Sequence, residues 1–327
     1  MNSEKIIESL YKRDKRILAR LISVIESNQN GSESVLSVIF PMIGKAYRIG
    51  ITGPPGAGKS SITNNLAKFY RADGKRVAIV AVDPTSPFTG GALLGDRVRM
   101  SEIGNDADIF IRSMATRGSV GGLNTKIKDV ADLLDAAGYD YILIETVGVG
   151  QSELDVVKAA DSIMVILVPE SGDTVQAMKA GLMEIADFYV VNKSDRPGAD
   201  QAVTSIKTML MMREHDQSSW MPDVVKSIAI DNKGVDEIAG EIKRHHDYLL
   251  KTGKFITRRN NRLHDRIKEI VEEKIVHEIW SINHPTDIFS NYSESELQIS
   301  SPYKIAEEII KNYKTNSIKE TINECRK

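Results

Sequence analysis

The chain has 327 residues, of which 41% are hydrophobic and 27% charged, and its formal net charge is −2. This balance is that of an ordinary globular protein and argues against a polyanionic partner such as nucleic acid. No apolar run approaches the ~18 residues of a membrane span, the charged N-terminus does not fit a signal peptide, and the single cysteine, Cys325, fits a reducing compartment, so we expect a cytoplasmic protein.

The first elements predicted along the chain are helices, and we assign residues 1–45 to an N-terminal helical segment. One amphipathic leader helix is predicted over residues 3–27, from apolar side chains at helical spacing that comprise Ile6, Leu10, Ile17, Leu21 and Ile25. A second, shorter helix is predicted over residues 33–43.

Residues 46–254 are predicted to form a doubly wound α/β domain with a mostly parallel sheet. Short β-branched runs alternate there with helical stretches, and most of the runs are continuously apolar, as in a sheet covered by helices on both faces. The predicted strands are 47–52, 76–82, 109–113, 141–145, 162–168, 188–192 and 224–228.

The last segment, residues 255–327, is predicted to be a helical C-terminal extension. Pro302 begins its final helix, and an earlier apolar stripe runs along Leu263, Ile267, Val271, Ile275, Ile279 and Trp280. Packing within one chain and a dimerisation arm would both account for this stripe.

A phosphate-binding loop follows the first predicted strand and leads into a predicted helix over residues 61–70. Its sequence is GPPGAGKS, in which glycines let the backbone wrap around phosphate oxygens while the helix N-terminus supplies positive potential. We expect Lys59 to reach the β and γ phosphates and Ser60 to bind Mg²⁺. The predicted nucleotide-binding residues here are Gly53, Pro54, Pro55, Gly56, Ala57, Gly58, Lys59, Ser60 and Ser61. The fold class is therefore that of the P-loop NTPases.

The base is expected to be guanine, because a predicted strand ends in the pattern Asn-Lys-x-Asp at residues 192–195. The Asp195 carboxylate can accept hydrogen bonds from guanine N1–H and its 2-amino group. Adenine presents an acceptor there and would leave the carboxylate facing a lone pair. The predicted base-binding residues are Asn192, Lys193 and Asp195, with Ser227, Ile228 and Ala229 supporting the guanine through backbone amides.

Acidic residues that follow other strands are candidates for Mg²⁺ binding and hydrolysis. Glu145 ends a strand and precedes Gly148, whose N–H is expected at the γ-phosphate, and its carboxylate can reach Mg²⁺ through water or orient the attacking water. Asp83 and Asp96 could join the magnesium shell, or could instead cap a helix or pair with an arginine. The predicted catalytic residues are Lys59, Asp83, Asp96 and Glu145, and the predicted Mg²⁺ ligands are Ser60, Asp83, Asp96 and Glu145.

These motifs together resemble those of the methylmalonyl-CoA mutase-associated GTPases (MeaB/ArgK type), in the SIMIBI group of P-loop GTPases. The likeness covers nearly the whole chain, and the segments that carry it are 53–60, 81–86, 95–100, 145–153 and 192–195. It implies a homodimeric GTPase that chaperones an adenosylcobalamin-dependent acyl-CoA mutase, gating cofactor loading and protecting the mutase, with GTP hydrolysis as the timer. It also implies that residues 169–183 sense the partner and complete the hydrolytic site.

Three other functions stay open on the sequence. A nickel-delivery GTPase of the same class would need clustered metal ligands, whereas only His245 and His246 are adjacent, and we expect both on a solvated helix surface. A P-loop kinase linked to amino-acid transport is disfavoured by the guanine pattern and by Glu145, which favour water over a phosphoacceptor. A scaffold that binds GTP without turnover is disfavoured because the phosphate-site residues are all present.

Overall fold

The computed structural model describes residues 3–12, 14–27, 31–84, 101–116, 122–146, 158–169, 182–212, 216, 219–282 and 301–324. Two compact units divide the chain, Met1–Arg262 and Leu263–Lys327. The long helix Lys254–Ile282 runs through this division, so its first turns belong to the first unit. The three predicted domains, with boundaries after residues 45 and 254, stay a prediction.

Seven parallel strands form one sheet in the order β3-β2-β4-β1-β5-β6-β7. They are β1 (Tyr47–Thr52), β2 (Val77–Pro84), β3 (Ile109–Thr116), β4 (Tyr141–Thr146), β5 (Ser162–Leu167), β6 (Phe188–Val191) and β7 (Val224–Lys226). The predicted doubly wound α/β class is confirmed. The chain places β2–β4 on one side of β1 and β5–β7 on the other, and ligands bind at the carboxyl ends of strands at such a switch point.

The helices of the first unit are α1 (Ser3–Tyr11), α2 (Lys15–Glu26), α3 (Ser32–Ile39), α4 (Lys59–Ala72), α5 (Ser101–Gly104), α6 (Gly122–Ala136), α7 (Leu182–Ile185), α8 (Ala199–Met211) and α9 (Val235–Lys251). Alternate residues of β2 belong to different apolar cores. Ala78 and Val80 pack with the N-terminal helices and α6, whereas Val77 and Ile79 pack with α4 and α9. Both faces of the sheet are therefore covered, which is why its strands are continuously apolar.

The leader segment differs from its prediction, because one expected helix over residues 3–27 is two helices, α1 and α2. Asp14 separates them in an extended conformation (φ −72°, ψ 104°), and its carboxylate accepts hydrogen bonds from the N–H groups of Arg16 and Ile17. An aspartate in this position is an N-cap that starts a new helix. The apolar spacing continues across the break between α1 and α2, so it does not show that two helices are present.

The N-terminal helices are fixed to β3, an edge strand of the sheet. Lys15 Nζ donates to the carbonyl oxygens of Asp106 and Ile109, at 2.6 and 2.5 Å, and Arg112 of β3 forms an ion pair with Glu26. The apolar side chains of α1, α2 and α3 therefore pack as part of the sheet domain's core.

The second unit contains the rest of helix α10 (Lys254–Ile282) and helix α11 (Pro302–Glu324). Within it, the Tyr313 hydroxyl donates to Glu278 Oε2 at 2.9 Å, which joins the two helices. The predicted apolar stripe is exposed at Leu263, Ile267 and Val271. Among the described helices, none is both long and apolar enough to cross a membrane.

Candidate functional site

The loop between β1 and α4 requires glycine at two positions. Gly53 has a φ of 140°, and a Cβ there would lie 2.1 Å from the carbonyl oxygen of Ile166 in β5. Gly58 has a φ of 91°, and a Cβ there would lie 2.2 Å from the side-chain nitrogen of Asn192. Left-handed backbone is costly for other residues, so both the conformation and the neighbours select glycine. The loop is thereby held closely against β5 and the end of β6.

The first two residues of α4 place a cation and a hydroxyl beside this loop. Lys59 Nζ donates to the carbonyl oxygens of Gly53 and Pro54, at 2.7 and 3.0 Å. Ser60 Oγ donates to Glu145 Oε1 at 2.5 Å. The predicted lysine, hydroxyl and acid therefore lie together at the helix N-terminus, where the backbone potential favours anions.

The register of the sheet explains why Glu145 reaches this helix. Glu145 is the next-to-last residue of β4, paired with Ile51 of β1, and it is almost fully buried. Ala81 of β2 pairs with Glu145 on the other side, so the backbone of Asp83 lies at the same edge, two residues further along. Asp83 was predicted as a Mg²⁺ ligand, and its side chain lies outside the described atoms.

The oxygen donors at this edge fit Mg²⁺. Mg²⁺ is bound by carboxylate and hydroxyl oxygens rather than by nitrogen or sulfur, and few protein ligands are needed beside the phosphates. The Ser60 hydroxyl and the Glu145 carboxylate are in direct contact and would provide two such oxygens.

Asn192 connects three segments that are far apart in sequence. Its side-chain Nδ2 donates to the carbonyl of Ala57 in the phosphate loop at 2.8 Å. Its Oδ1 accepts from the Ser227 hydroxyl and from the Ala229 N–H, each at 3.1 Å. Asn192, the first residue of the predicted guanine motif, is thus buried and links the phosphate loop to the segment after β7.

The turn after Asn192 is strained and leads to an exposed carboxylate. Lys193 has a φ of 56°, a left-handed conformation that costs a residue with a side chain about 1–2 kcal/mol. The turn is held by the Ser194 N–H, which donates to the Ser227 carbonyl at 3.0 Å. Asp195 follows and is exposed to solvent, where it is accessible to a ligand.

The backbone amides after β7 donate within the protein. The N–H groups of Ser227, Ile228 and Ala229 donate respectively to Val191 O at 2.9 Å, Lys233 O at 3.1 Å and Asn192 Oδ1. These bonds fix the shape of the segment beside the guanine motif. A direct contact of these amides with a guanine ring stays a prediction.

Several predicted positions lie outside the described residues, namely Asp96, Gly148, residues 170–181 of the partner-sensing segment, and Cys325. The structure brings together Lys59, Ser60, Glu145 and Asn192, and Asp195 is close to Asn192 in the chain. These residues and the backbone of Asp83 lie where β1, β2, β4 and β6 end. We call this region the carboxyl edge.

Two contacts at this edge involve residues that the sequence motifs do not include. Asn65 of α4 donates from Nδ2 to the carbonyl of Ala229 at 2.7 Å. The hydroxyls of Thr52 and Thr146, at the ends of β1 and β4, lie 3.1 Å apart and are fully buried. The signal for Asn65 in the sequence is a polar side chain on the apolar face of a helix, between Ile62 and Leu66.

The expectation that His245 and His246 lie on a solvated surface was wrong for His245, which is fully buried. One ring nitrogen of His245 is hydrogen-bonded to Ser162 Oγ, and the other lies 3.3 Å from Asp187 Oδ1. His246 packs against Tyr47 with the rings tilted by 38° and their centres 4.1 Å apart, and burial lowers the pKa of His246. Both rings are used for packing inside the protein.

Charged residues cluster at the opposite edge, where the strands begin, which we call the amino edge. Asp161 accepts from Arg259 at 2.8 Å and also pairs with Arg262, while Asp187 accepts from Arg258 at 2.9 Å. Burial alone would raise the pKa of Asp161, but the arginines outweigh it and lower that pKa to about 2. The pKa of Asp187 is lowered likewise, against burial, by His245 and Arg258.

Comparison with known proteins gives one family and several relatives. Residues 18–284 match the family model for "Methylmalonyl Co-A mutase-associated GTPase MeaB". The chain is 44% identical over 313 residues to a putative GTPase of Pyrococcus abyssi, covering 94% of this chain and 96% of that one. It is 32% identical to the GTPase ArgK of Escherichia coli, covering 84% and 85%.

A solved structure shares the fold over almost its full length. It is described as a crystal structure of an LAO/AO transport system kinase, with 25% identity and a TM-score of 0.72. The superposition covers 96% of this chain and 99% of the other.

Proposed function

The chain belongs to the methylmalonyl Co-A mutase-associated GTPase family and is a GTPase, and from that premise we propose that it hydrolyses GTP with Mg²⁺ at the carboxyl edge to regulate an acyl-CoA mutase. The observation that carries the proposal is the meeting of Lys59, the Ser60–Glu145 pair and Asn192 at one edge. Phosphate, metal and base groups of one nucleotide would each find a partner there.

Phosphate binding is assigned to the loop and to Lys59. Backbone N–H groups of the loop would bind the phosphates, and the lysine would provide a cation that stabilises the charge developing on the transferred phosphoryl group. The hydrogen bonds from Lys59 to two loop carbonyls keep the ammonium beside the loop.

Glu145 and Ser60 are assigned to the metal and the attacking water. Bound Mg²⁺ would neutralise charge on the β and γ phosphates. Glu145 is rigid because it belongs to a central strand, and its carboxylate can orient a water for in-line attack or hold a water of the metal shell. Asp83 and Asp96 are proposed as further groups of this shell, and the Gly148 N–H as a donor to the γ-phosphate.

Base selection is assigned to Asp195, positioned by Asn192 and the turn at Lys193. Asp195→Asn should lower the ratio of GTP to ATP affinity by about 100-fold, because the amide cannot accept both guanine N–H groups. Unchanged discrimination in this variant, measured by isothermal titration with both nucleotides, would remove the residue from the site.

The partner is proposed to be an adenosylcobalamin-dependent acyl-CoA mutase of the methylmalonyl-CoA type. The family description, which names a mutase-associated GTPase, supports this partner. In this role GTP hydrolysis would time cofactor loading and protect the mutase, in the cytoplasm, with residues 169–183 sensing the partner.

A homodimer through helix α10 is part of the proposal. Ile267, Val271 and Ile275 recur every four residues and are each more than two-fifths exposed, which is an apolar row suited to a second copy. Ile267→Asp should convert the dimer to a monomer in sedimentation, and the neighbouring exposed substitution Lys268→Asp should not. A wild-type chain that sediments as a monomer would contradict this part.

The experiment that tests the function compares GTP and ATP hydrolysis with and without an adenosylcobalamin-dependent mutase from the same source. GTP-selective turnover that the mutase accelerates is the expected result. If turnover is GTP-selective but unaffected by the mutase, the GTPase activity is supported and the proposed mutase partner is contradicted.

A phosphotransferase is the second candidate, because the solved structure similar to this chain is described as a transport system kinase. Incubation with GTP labelled at the γ-phosphate distinguishes the two. Release of all label as inorganic phosphate supports hydrolysis, and stable label on a protein or small molecule supports the kinase.

A further inference from the structure

Helix α4 carries a buried asparagine on its apolar face. Asn65 is 9% exposed and lies between Ile62 and Leu66, which are fully buried. Asparagine is a poor helix former, and a buried amide is costly unless it is hydrogen-bonded. Its side chain donates to the carbonyl of Ala229, 164 residues away in sequence, at 2.7 Å. This residue thus connects the phosphate-loop helix to the segment after β7.

Ala229 is held from both sides by side-chain amides. Its N–H donates to Asn192 Oδ1 at 3.1 Å, and its carbonyl accepts from Asn65 Nδ2. The peptide groups before and after Ala229 are therefore both fixed. Asn192 also donates to Ala57, so three hydrogen bonds, together with the chain that leads from the phosphate loop into α4, form a closed ring through Ala229 and Asn192.

The segment held by Asn65 supports the turn that carries Asp195. The Ser227 carbonyl accepts from the Ser194 N–H, and the Ser227 hydroxyl donates to Asn192. Loss of the Asn65 contact would loosen this segment, and with it the orientation of the base-recognition turn. The phosphate loop would keep its other contacts, including the close approach of Gly53 to β5.

We propose that Asn65 is a positioning residue for base selectivity, which acts through the Ala229 carbonyl and does not touch the nucleotide. The proposal rests on the proposed guanine site at Asn192 and Asp195. Base recognition is then coupled to phosphate binding, because α4 begins at the phosphate loop and its Asn65 also holds the Ala229 carbonyl.

The test compares Asn65→Ala with wild type by isothermal titration with GTP and with ATP. Because one buried hydrogen bond is lost, the ratio of GTP to ATP affinity should fall about tenfold, with ATP affinity changed less than about twofold. The matched control is Thr63→Val, which removes another buried hydrogen bond of α4, from Thr63 Oγ1 to the Lys59 carbonyl at 3.0 Å. Its ratio should equal that of wild type.

A second variant guards against a failure to fold. Asn65→Leu has a similar volume and suits the apolar face of α4, but it cannot donate to the Ala229 carbonyl, so the ratio should fall about as far as in Asn65→Ala. Equal losses for GTP and ATP in both variants would reduce Asn65 to a structural residue and overturn the inference. If Asp195→Asn changes the ratio and the Asn65 variants do not, only this inference fails. If Asp195→Asn also leaves the ratio of GTP to ATP affinity unchanged, the proposed guanine site is wrong.

Discussion

The two edges of the sheet use polar residues in different ways. At the amino edge, the buried carboxylates Asp161 and Asp187 are paired with arginines of α10. At the carboxyl edge, Lys59 is bonded to main-chain carbonyls and Glu145 to a hydroxyl, among glycine turns and side-chain amides. Opposite charges that neutralise each other inside the protein stabilise a fold. The hydrogen bonds of Lys59 and Glu145 at the carboxyl edge can be exchanged for those of a ligand.

We infer that the amino edge maintains the structure, whereas the carboxyl edge is the proposed site of the chemistry. The arginines of the amino edge also attach the start of α10 to the sheet, since Arg259 donates to the carbonyls of Gly44 and Ala46 at 2.6 and 2.7 Å. Substitutions at the amino edge should therefore change stability and leave nucleotide choice alone. Substitutions at the carboxyl edge should change nucleotide binding and leave stability nearly unchanged.

The largest expected effect is at the amino edge. Asp161→Ala leaves Arg259 and Arg262 without their buried carboxylate, which should lower the free energy of unfolding by about 3–5 kcal/mol. Denaturant unfolding measures this decrease in the free energy of unfolding. The control is Glu8→Ala, which breaks an exposed ion pair with Lys12 and should change the free energy of unfolding far less than Asp161→Ala does. A changed ratio of GTP to ATP affinity in the folded Asp161 variant would break the comparison.

Lys59→Ala tests the carboxyl edge in the opposite sense. GTP affinity should fall at least about 100-fold, because charge-assisted hydrogen bonds to the phosphates are lost. The free energy of unfolding without nucleotide should change far less than in Asp161→Ala. Lys68→Ala, an exposed lysine of the same helix, is the control for titration calorimetry and should bind GTP as wild type does.

Glu145→Gln separates hydrolysis from binding at the carboxyl edge. The amide keeps the volume and can still accept from Ser60, but the charge that would orient water is gone. The turnover rate should fall about 100-fold, and the dissociation constant for GTP should change less than about tenfold. Single-turnover kinetics beside equilibrium titration measure both. Equal losses in the two would mean that Glu145 serves binding alone.

The smallest effect is a pH dependence at the amino edge. The folded-state pKa of Asp161 is about 2, below its ordinary value of 3.8, so the ionised group stabilises the fold above pH 3.8. That contribution, about 2 kcal/mol, is lost as the pH falls through about 2. Asp161→Asn should therefore be less destabilised relative to wild type at pH 2 than at pH 6. A difference in unfolding free energy that is constant with pH would contradict the lowered pKa.

The seven strands and the motifs follow from local patterns in the sequence. Buried parallel strands are continuous apolar runs, and the phosphate loop and the Asn-Lys-Ser-Asp segment are local patterns whose chemistry follows from residue type and spacing. The fold class and the GTPase assignment therefore needed only neighbouring residues. The apolar spacing alone does not reveal the break at Asp14, because this spacing continues across the N-cap.

The tertiary structure decided what lies inside and what holds the site together. His245 belongs to a charged, lysine-rich stretch of α9 and yet is fully buried, because Ser162 of β5 and Asp187, just before β6, contact its ring. Asn65 and Ala229 are 164 residues apart, and their contact exists only because α4 and the end of β7 pack on the same sheet. Such contacts depend on long-range packing, which residue spacing does not encode.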